Sequence, residues 1–197
     1  TVGARGQITS LVDRRDGNRQ WATPGRALND PEQGSGPVVA ENVGPVSATL
    51  RVVSTGTPDH DIRVTMYAGL DRVDVDARVT ENFGSSSQVY RYDFGLAGGQ
   101  FRHEEVGMIA RADYESAGGD YADVSSRTDW LTSNHFVDFS DATRGITLST
   151  WDGSFWQPGG SWYAELDTTT TYLHALVGNA PNCADGIANQ GGDIASA

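Results

Sequence analysis

Arg72-Val73-Asp74-Val75-Asp76-Ala77-Arg78-Val79-Thr80 decides the fold class. Val73, Val75, Ala77 and Val79 fall on one side of an extended chain, and Arg72, Asp74, Asp76 and Arg78 on the other. This is the period-two alternation of a half-buried β-strand. A slip of one residue would bury the four charges, so the register is strongly specified.

The same pattern runs outward in both directions. Ala48, Leu50 and Val52 alternate with Thr49 and Arg51, and Ile62, Val64 and Met66 with Arg63 and Thr65. Tyr90, Tyr92 and Phe94 alternate with Arg91 and Asp93. Further on come His135–Phe139, Ile146–Leu148, Trp162–Asp167 and the apolar run Tyr172–Val177. Asp16-Gly17-Asn18 between Ile8–Val12 and Gln20–Ala22 is a hairpin signal. Glycine-rich breaks at 34–36, 98–99, 118–119 and 159–160 punctuate the rest. Segments 23–45 and 113–128 read as long loops, a type of segment that often carries function. The reading is an all-β, large antiparallel two-sheet sandwich, a single domain over 1–197 and a piece of a larger protein.

Composition narrows the function. The 197 residues carry a net charge of -12, and all 14 basic residues are Arg. An acidic surface repels phosphate backbones, so nucleic acid is a poor partner. No run approaches the ~18 apolar residues of a membrane helix, and no membrane partner is expected. No leader is legible, and secretion or export is inferred rather than read. Cys183, the only cysteine, excludes an internal disulfide and a cysteine-based zinc site; a buried thiol or a partner outside this chain both fit it.

No complete catalytic site is legible. Gly153-Ser154-Phe155 lacks the second glycine of a nucleophile elbow. His60, His103, His135 and His174 are scattered without ligand spacing, and the metal question is open. Asp59-His60-Asp61 reads as a solvated turn or a contribution to a cation site, and no cofactor is expected beyond a structural calcium. Glu104 and Glu105 are strand neighbours that point to opposite faces, so they cannot form a close acid/base pair. Glu81 and Glu165 read as isolated.

The richest local feature is Trp151-Asp152-Gly153-Ser154-Phe155-Trp156-Gln157-Pro158-Gly159-Gly160-Ser161-Trp162-Tyr163, which holds three of the five tryptophans. Indole faces stack on the apolar faces of sugar rings, and nearby Asp and Gln hydrogen-bond hydroxyls. The expected carbohydrate site is therefore Trp156 as the stacking ring in a loop, Trp151 or Tyr163 beside it, and Asp152 and Gln157 as hydrogen-bonding groups. Core packing is the competing reading for these tryptophans. Trp162, on an alternating run, is expected to be buried, with Trp162→Ala costing roughly 3–5 kcal/mol and Trp156→Ala leaving the fold intact. The partner is expected to be a neutral oligosaccharide or polysaccharide, because the negative surface repels polyanions at long range.

The order of several segments resembles the β-sandwich region of the family 38 glycoside hydrolases, the α-mannosidases. Gly6–Asp13 followed by Asp16-Gly17-Asn18-Arg19 is similar to that region's opening hairpin. Gly44-Pro45-Val46, Ile62–Tyr67, Arg72–Thr80 and Phe101–Arg111 follow in the family's order. So do Trp130, Phe136–Asp141, Gly145–Leu148 and Asp185–Ile194. The resemblance implies a galactose-mutarotase-like sandwich and a catalytic domain elsewhere in the same parent chain, because the family's nucleophile and zinc ligands lie in an α/β domain with no counterpart here. The expected role is a non-catalytic accessory domain engaged in carbohydrate recognition. An independent carbohydrate-binding module, or a sugar epimerase or polysaccharide lyase on the same fold, are the alternatives.

Overall fold

The computed structural model describes residues 1–83, 87–126, 128–163 and 165–179. Ala164, Cys183 and the 185–194 segment lie outside them. The described chain is all-β and antiparallel, and its strands form one two-stranded and three four-stranded sheets. Its one helical element among the described residues is the 3-10 turn Glu115–Ala117. Two compact units divide the described residues, Thr1–Arg91 with Val177–Asn179, and Tyr92–Leu176.

The first unit opens with the expected hairpin. β1 (Leu11–Asp13) pairs with β2 (Arg19–Ala22), and Gly17 and Asn18 both take positive φ in the turn (60° and 61°), as a tight hairpin requires. Its main sheet runs in the order β3 (Val38–Val43), β4 (Ser47–Ser54), β5 (His60–Tyr67), β6 (Val73–Val79). Rows across this sheet follow the alternation. Val52, Ile62 and Ala77 share one face, as do Ser54, His60 and Val79. On the other face Arg51 donates to both Asp61 carboxylate oxygens at 2.9 and 2.8 Å, and Arg63 donates to Asp61 at 3.2 Å and to Glu41 at 3.0 Å. The N-terminal segment closes the apolar face, where a Cβ at Gly6 would stand 2.7 Å from the Ile62 side chain. Gly6 therefore serves both its positive φ of 87° and a close approach. β3 lies inside the segment read as a loop, and all six of its residues are exposed.

β7 (Ser87–Asp93) holds the boundary between the units. The second unit contains β8 (Gln100–Glu105), β9 (Met108–Arg111), β10 (Leu131–Thr132), β11 (Phe136–Ser140), β12 (Gly145–Ser149), β13 (Phe155–Pro158) and most of β14 (Tyr172–Asn179). One sheet has the order β12-β11-β8-β9 and the other β10-β13-β14-β7. In the first, Val137 pairs with His103 and Phe139 with Phe101, all four buried on one face. In the second, Leu131, Trp156, Leu173 and Ala175 are buried. The layers meet where Phe94 stacks on Phe139 at 5.6 Å and where His103 reaches the Thr132 carbonyl. This is a two-layer sandwich core in which each sheet buries one face.

Of the run Trp162–Asp167, the described residues lie on no strand. Trp162 and Glu165 form a tight turn, each backbone N–H donating to the other's carbonyl at 2.9 and 3.0 Å. Alternation over a few residues specified a period there but not a pairing partner.

Candidate functional site

The two tryptophans at the centre of the aromatic segment exchange the roles expected of them. Trp156 sits on β13 between β10 and β14, opposite Leu131 on one side and Ala175 on the other. Its side chain is buried at 3% exposure and its indole N–H donates to the Ser133 hydroxyl at 2.8 Å. The Tyr92 ring lies 6.5 Å away. A ring enclosed by two strands and a second layer presents no face to a sugar, so Trp156 is a core residue and not the stacking platform. Trp162 is 56% exposed. Its indole N–H donates to Glu165 at 3.1 Å, which gives Glu165 the local partner that sequence did not suggest.

Gln157 also serves the fold. Its amide donates to the Ser161 carbonyl at 2.7 Å and its carbonyl faces His174 Nδ1 at 3.4 Å. Trp151 and Asp152 are exposed on the turn after β12. That turn is held by Thr150 N–H on the His135 carbonyl and Gly153 N–H on the Thr150 hydroxyl, each at 2.8 Å. Trp151 is fully exposed. Tyr163 is 66% exposed and is the expected residue that lines a real concavity.

That concavity is a groove of about 360 Å³ in the second unit, lined by Tyr114, the run Ala122–Ser126 and Tyr163. Its size falls within the ~300–1,000 Å³ usual for small-molecule sites. The wall is built by the long loop between β9 and β10. Gly119 approaches the Asp113 backbone so closely that a Cβ there would lie 2.0 Å from the Asp113 carbonyl oxygen. The Arg111 N–H donates to Asp120 at 2.7 Å. Tyr114 is fixed because its hydroxyl accepts the Leu166 N–H at 2.8 Å. Asp123 accepts hydrogen bonds from the Ser116 N–H and hydroxyl, and Ser126 donates to the Ala122 carbonyl at 2.8 Å. Ser125 takes a φ of 65°, a conformation that costs about 1–3 kcal/mol for a non-glycine residue and concentrates at functional sites. Asp123 is the one charged group among the described lining residues.

Besides the Arg111–Asp120 contacts at its edge, the loop is tethered into the sandwich by the Tyr121 side chain. Tyr121 precedes the groove wall, and its hydroxyl meets His103 Nε2 at 3.0 Å. His103 Nδ1 lies 2.6 Å from the Thr132 carbonyl, which can only accept. Nδ1 therefore carries the hydrogen, Nε2 is the acceptor, and Tyr121 donates. Burial pushes His103 below its ordinary value, against the opposing pull of the Thr132 carbonyl, Glu105 and Asp120. Burial, together with Glu105 and Asp120, pushes the Tyr121 hydroxyl up to about 12.

The other candidate groups disperse. His60 is buried on β5, where Nδ1 meets the Tyr90 hydroxyl at 2.8 Å, and burial lowers its pKa. Asp61 turns to the opposite face toward Arg51, and Asp59 accepts the Gly56 N–H. The triplet is thus the start of a strand rather than a solvated turn, and its side chains do not converge on a cation. Ser54 and His60 are strand partners on one face, but neither the Ser54 hydroxyl nor His60 Nε2 has a hydrogen-bond partner among the described residues. They form no nucleophile–base pair. Glu104 and Glu105 diverge as expected, Glu104 to His135 at 2.9 Å and Glu105 to the Thr132 hydroxyl at 2.8 Å. Among the described residues no three His, Cys, Asp or Glu side chains gather as a metal site, and no helix is long and apolar enough to cross a membrane.

The groove residues Tyr114 and Ala122–Ser126 escaped sequence reasoning except through the length of their loop. No known family profile, curated protein or solved structure matches the chain, so the likeness to the α-mannosidase sandwich region stands on the segments quoted above alone.

Proposed function

We propose that this chain is a non-catalytic carbohydrate-recognition sandwich that takes a neutral oligosaccharide or polysaccharide in the groove beside Tyr163. The observation that carries the reading is an open groove of about 360 Å³ bounded by the Tyr163 and Tyr114 rings and by the hydroxyl-bearing run Ser125-Ser126. Aromatic rings supply the stacking surface for a pyranose, and the serine hydroxyls and Asp123 supply the hydrogen bonds. Trp151, fully exposed with Asp152 next to it, provides a second contact for a chain long enough to reach it. The α-mannosidase-like segment order supports an accessory role beside a catalytic domain of the same parent chain, and a polysaccharide partner fits an exported protein.

The test is affinity electrophoresis through gels containing soluble galactomannan, mannan or, as the anionic comparison, polygalacturonate. Retention is expected on a neutral polymer and not on the anionic one. Tyr163→Ala should abolish it and Trp151→Ala should weaken it, with the circular dichroism spectrum unchanged. Retention that survives Tyr163→Ala, or that favours polygalacturonate, refutes the assignment.

A further inference from the structure

We infer that the groove is gated by acid, with protonation of His103 releasing Tyr121 and with it the loop that forms the groove wall. The inference rests on reading that groove as the sugar site.

The geometry permits one arrangement of hydrogens in the neutral state, Nδ1–H to the Thr132 carbonyl at 2.6 Å and Tyr121 O–H to Nε2 at 3.0 Å. A proton taken from solvent can enter only at Nε2. The new N–H then donates to the Tyr121 oxygen, so the hydroxyl turns from donor to acceptor and its own hydrogen must leave that line. Among the described residues Tyr121 has no second acceptor for it. The imidazolium would also be enclosed at 0% exposure, where an unhydrated charge is strongly penalised. Both costs are relieved when Tyr121 swings out and water reaches the ring.

The groups around His103 do not cancel this. Its strand partners are Ala110 on β9 and Val137 on β11, neither of them charged. β10 presents the Thr132 carbonyl. The charged or titratable groups facing it are Glu105, whose carboxylate is 3.6 Å from Nδ1 and already accepts the Thr132 hydroxyl, together with Asp120 and Tyr121. Both carboxylates favour the cation, yet burial outweighs them, so release falls below the ordinary histidine value of about 6.5.

Movement of Tyr121 is transmitted directly. Its N–H donates to the Asp113 carbonyl at 3.0 Å and its carbonyl accepts the Glu115 N–H at 2.8 Å, and Ala122–Ser126 follow it without a break as the groove wall.

The experiment is amide hydrogen exchange on the whole chain at pH 7.5 and at the lowest pH where the β11 amides keep full protection, corrected for intrinsic rates and paired with galactomannan affinity electrophoresis. In the wild type the Glu115 and Tyr121 amides should lose about tenfold in protection, a change of about 1.4 kcal/mol in opening free energy, and retention should fall with them. Tyr121→Phe keeps the ring beside His103 but removes the hydroxyl. It should show the lowered protection at both pH values and retention that no longer depends on pH. Wild-type protection that is constant with pH, or a Tyr121→Phe protein that keeps the wild-type pH response, overturns the gate whatever the sugar result. Protection that switches in a protein retained at neither pH overturns the sugar reading, and the inference falls with it.

Discussion

Exchanging the fates of Trp156 and Trp162 tests the core directly. Trp156 is 3% exposed, is covered on both strand edges and donates to a serine that is itself 3% exposed. Truncation to alanine removes a large buried ring, which costs about 3–5 kcal/mol. The value should lie toward the upper end because the Ser133 hydroxyl loses its donor within the core. Trp156→Phe separates the two contributions, since it keeps most of the apolar volume and loses only the N–H, worth about 1–3 kcal/mol. Trp162→Ala removes a ring that is 56% exposed, and surface changes of this kind stay within about 0.5 kcal/mol. With a urea m-value of roughly 2–3 kcal/mol/M, Trp156→Ala should lower the unfolding midpoint by about 1–2.5 M, while Trp162→Ala leaves it nearly unmoved. Far-ultraviolet circular dichroism of the intact chain reads both, without relying on the fluorescence of the residues removed. A larger midpoint shift for Trp162→Ala than for Trp156→Ala would refute the packing described above.

Stability should fall as pH drops below about 6.5. His60 and His103 are both held below their ordinary values by burial, so the unfolded chain takes up protons first. Their contribution is fully present above the unfolded value and is lost on descending toward the folded ones; a midpoint that rises over that interval would contradict it. Asp61, held low by the Arg51 hydrogen bonds, acts at more acidic pH. Its contribution is present above the ordinary carboxylate value and disappears as pH falls through the lower folded one, so Asp61→Asn should flatten the acid limb of a pH–stability curve. Gly119→Ala should displace the groove loop, because its Cβ would meet the Asp113 carbonyl oxygen at 2.0 Å. Loss of polysaccharide retention with an unchanged β-sheet spectrum is the expected result, and unchanged retention would show that the loop tolerates the shift.

Strands whose two faces differ were legible, and those whose faces do not differ were not. β5 and β11 each bury one face, so apolar and polar residues had to alternate along them, while β4 and β6 alternate in sequence but bury that face only near one end, at Val52, Ser54 and Val79. β3 escaped because it is an edge strand with both faces exposed, flanked by Pro37 and Pro45, and nothing in its burial demanded a pattern. β13 escaped because a four-residue strand ending at Pro158 is too short for a period to show. The groove was signalled only by the length of the 113–128 segment, and its lining residues share no motif.

By itself the sequence determined the all-β class, the hairpin at Asp16-Gly17-Asn18, which side chains of the charged Arg72–Thr80 strand share a face, and the divergence of Glu104 from Glu105. Each of these follows from local geometry, the side-chain period of an extended chain and the φ preferences of turn residues. The tertiary structure alone decided which tryptophan is core and which is surface, which histidine accepts a tyrosine's hydrogen, and where a concavity opens. Trp156 and Trp162 sit in equally aromatic, glycine-flanked surroundings. One is buried because Leu131 and Ala175, from strands distant in the chain, pair on either side of it. The other is exposed because its turn closes on Glu165. Alternation specifies which residues share a face, but burial of that face depends on what packs against it, and that comes from elsewhere in the chain.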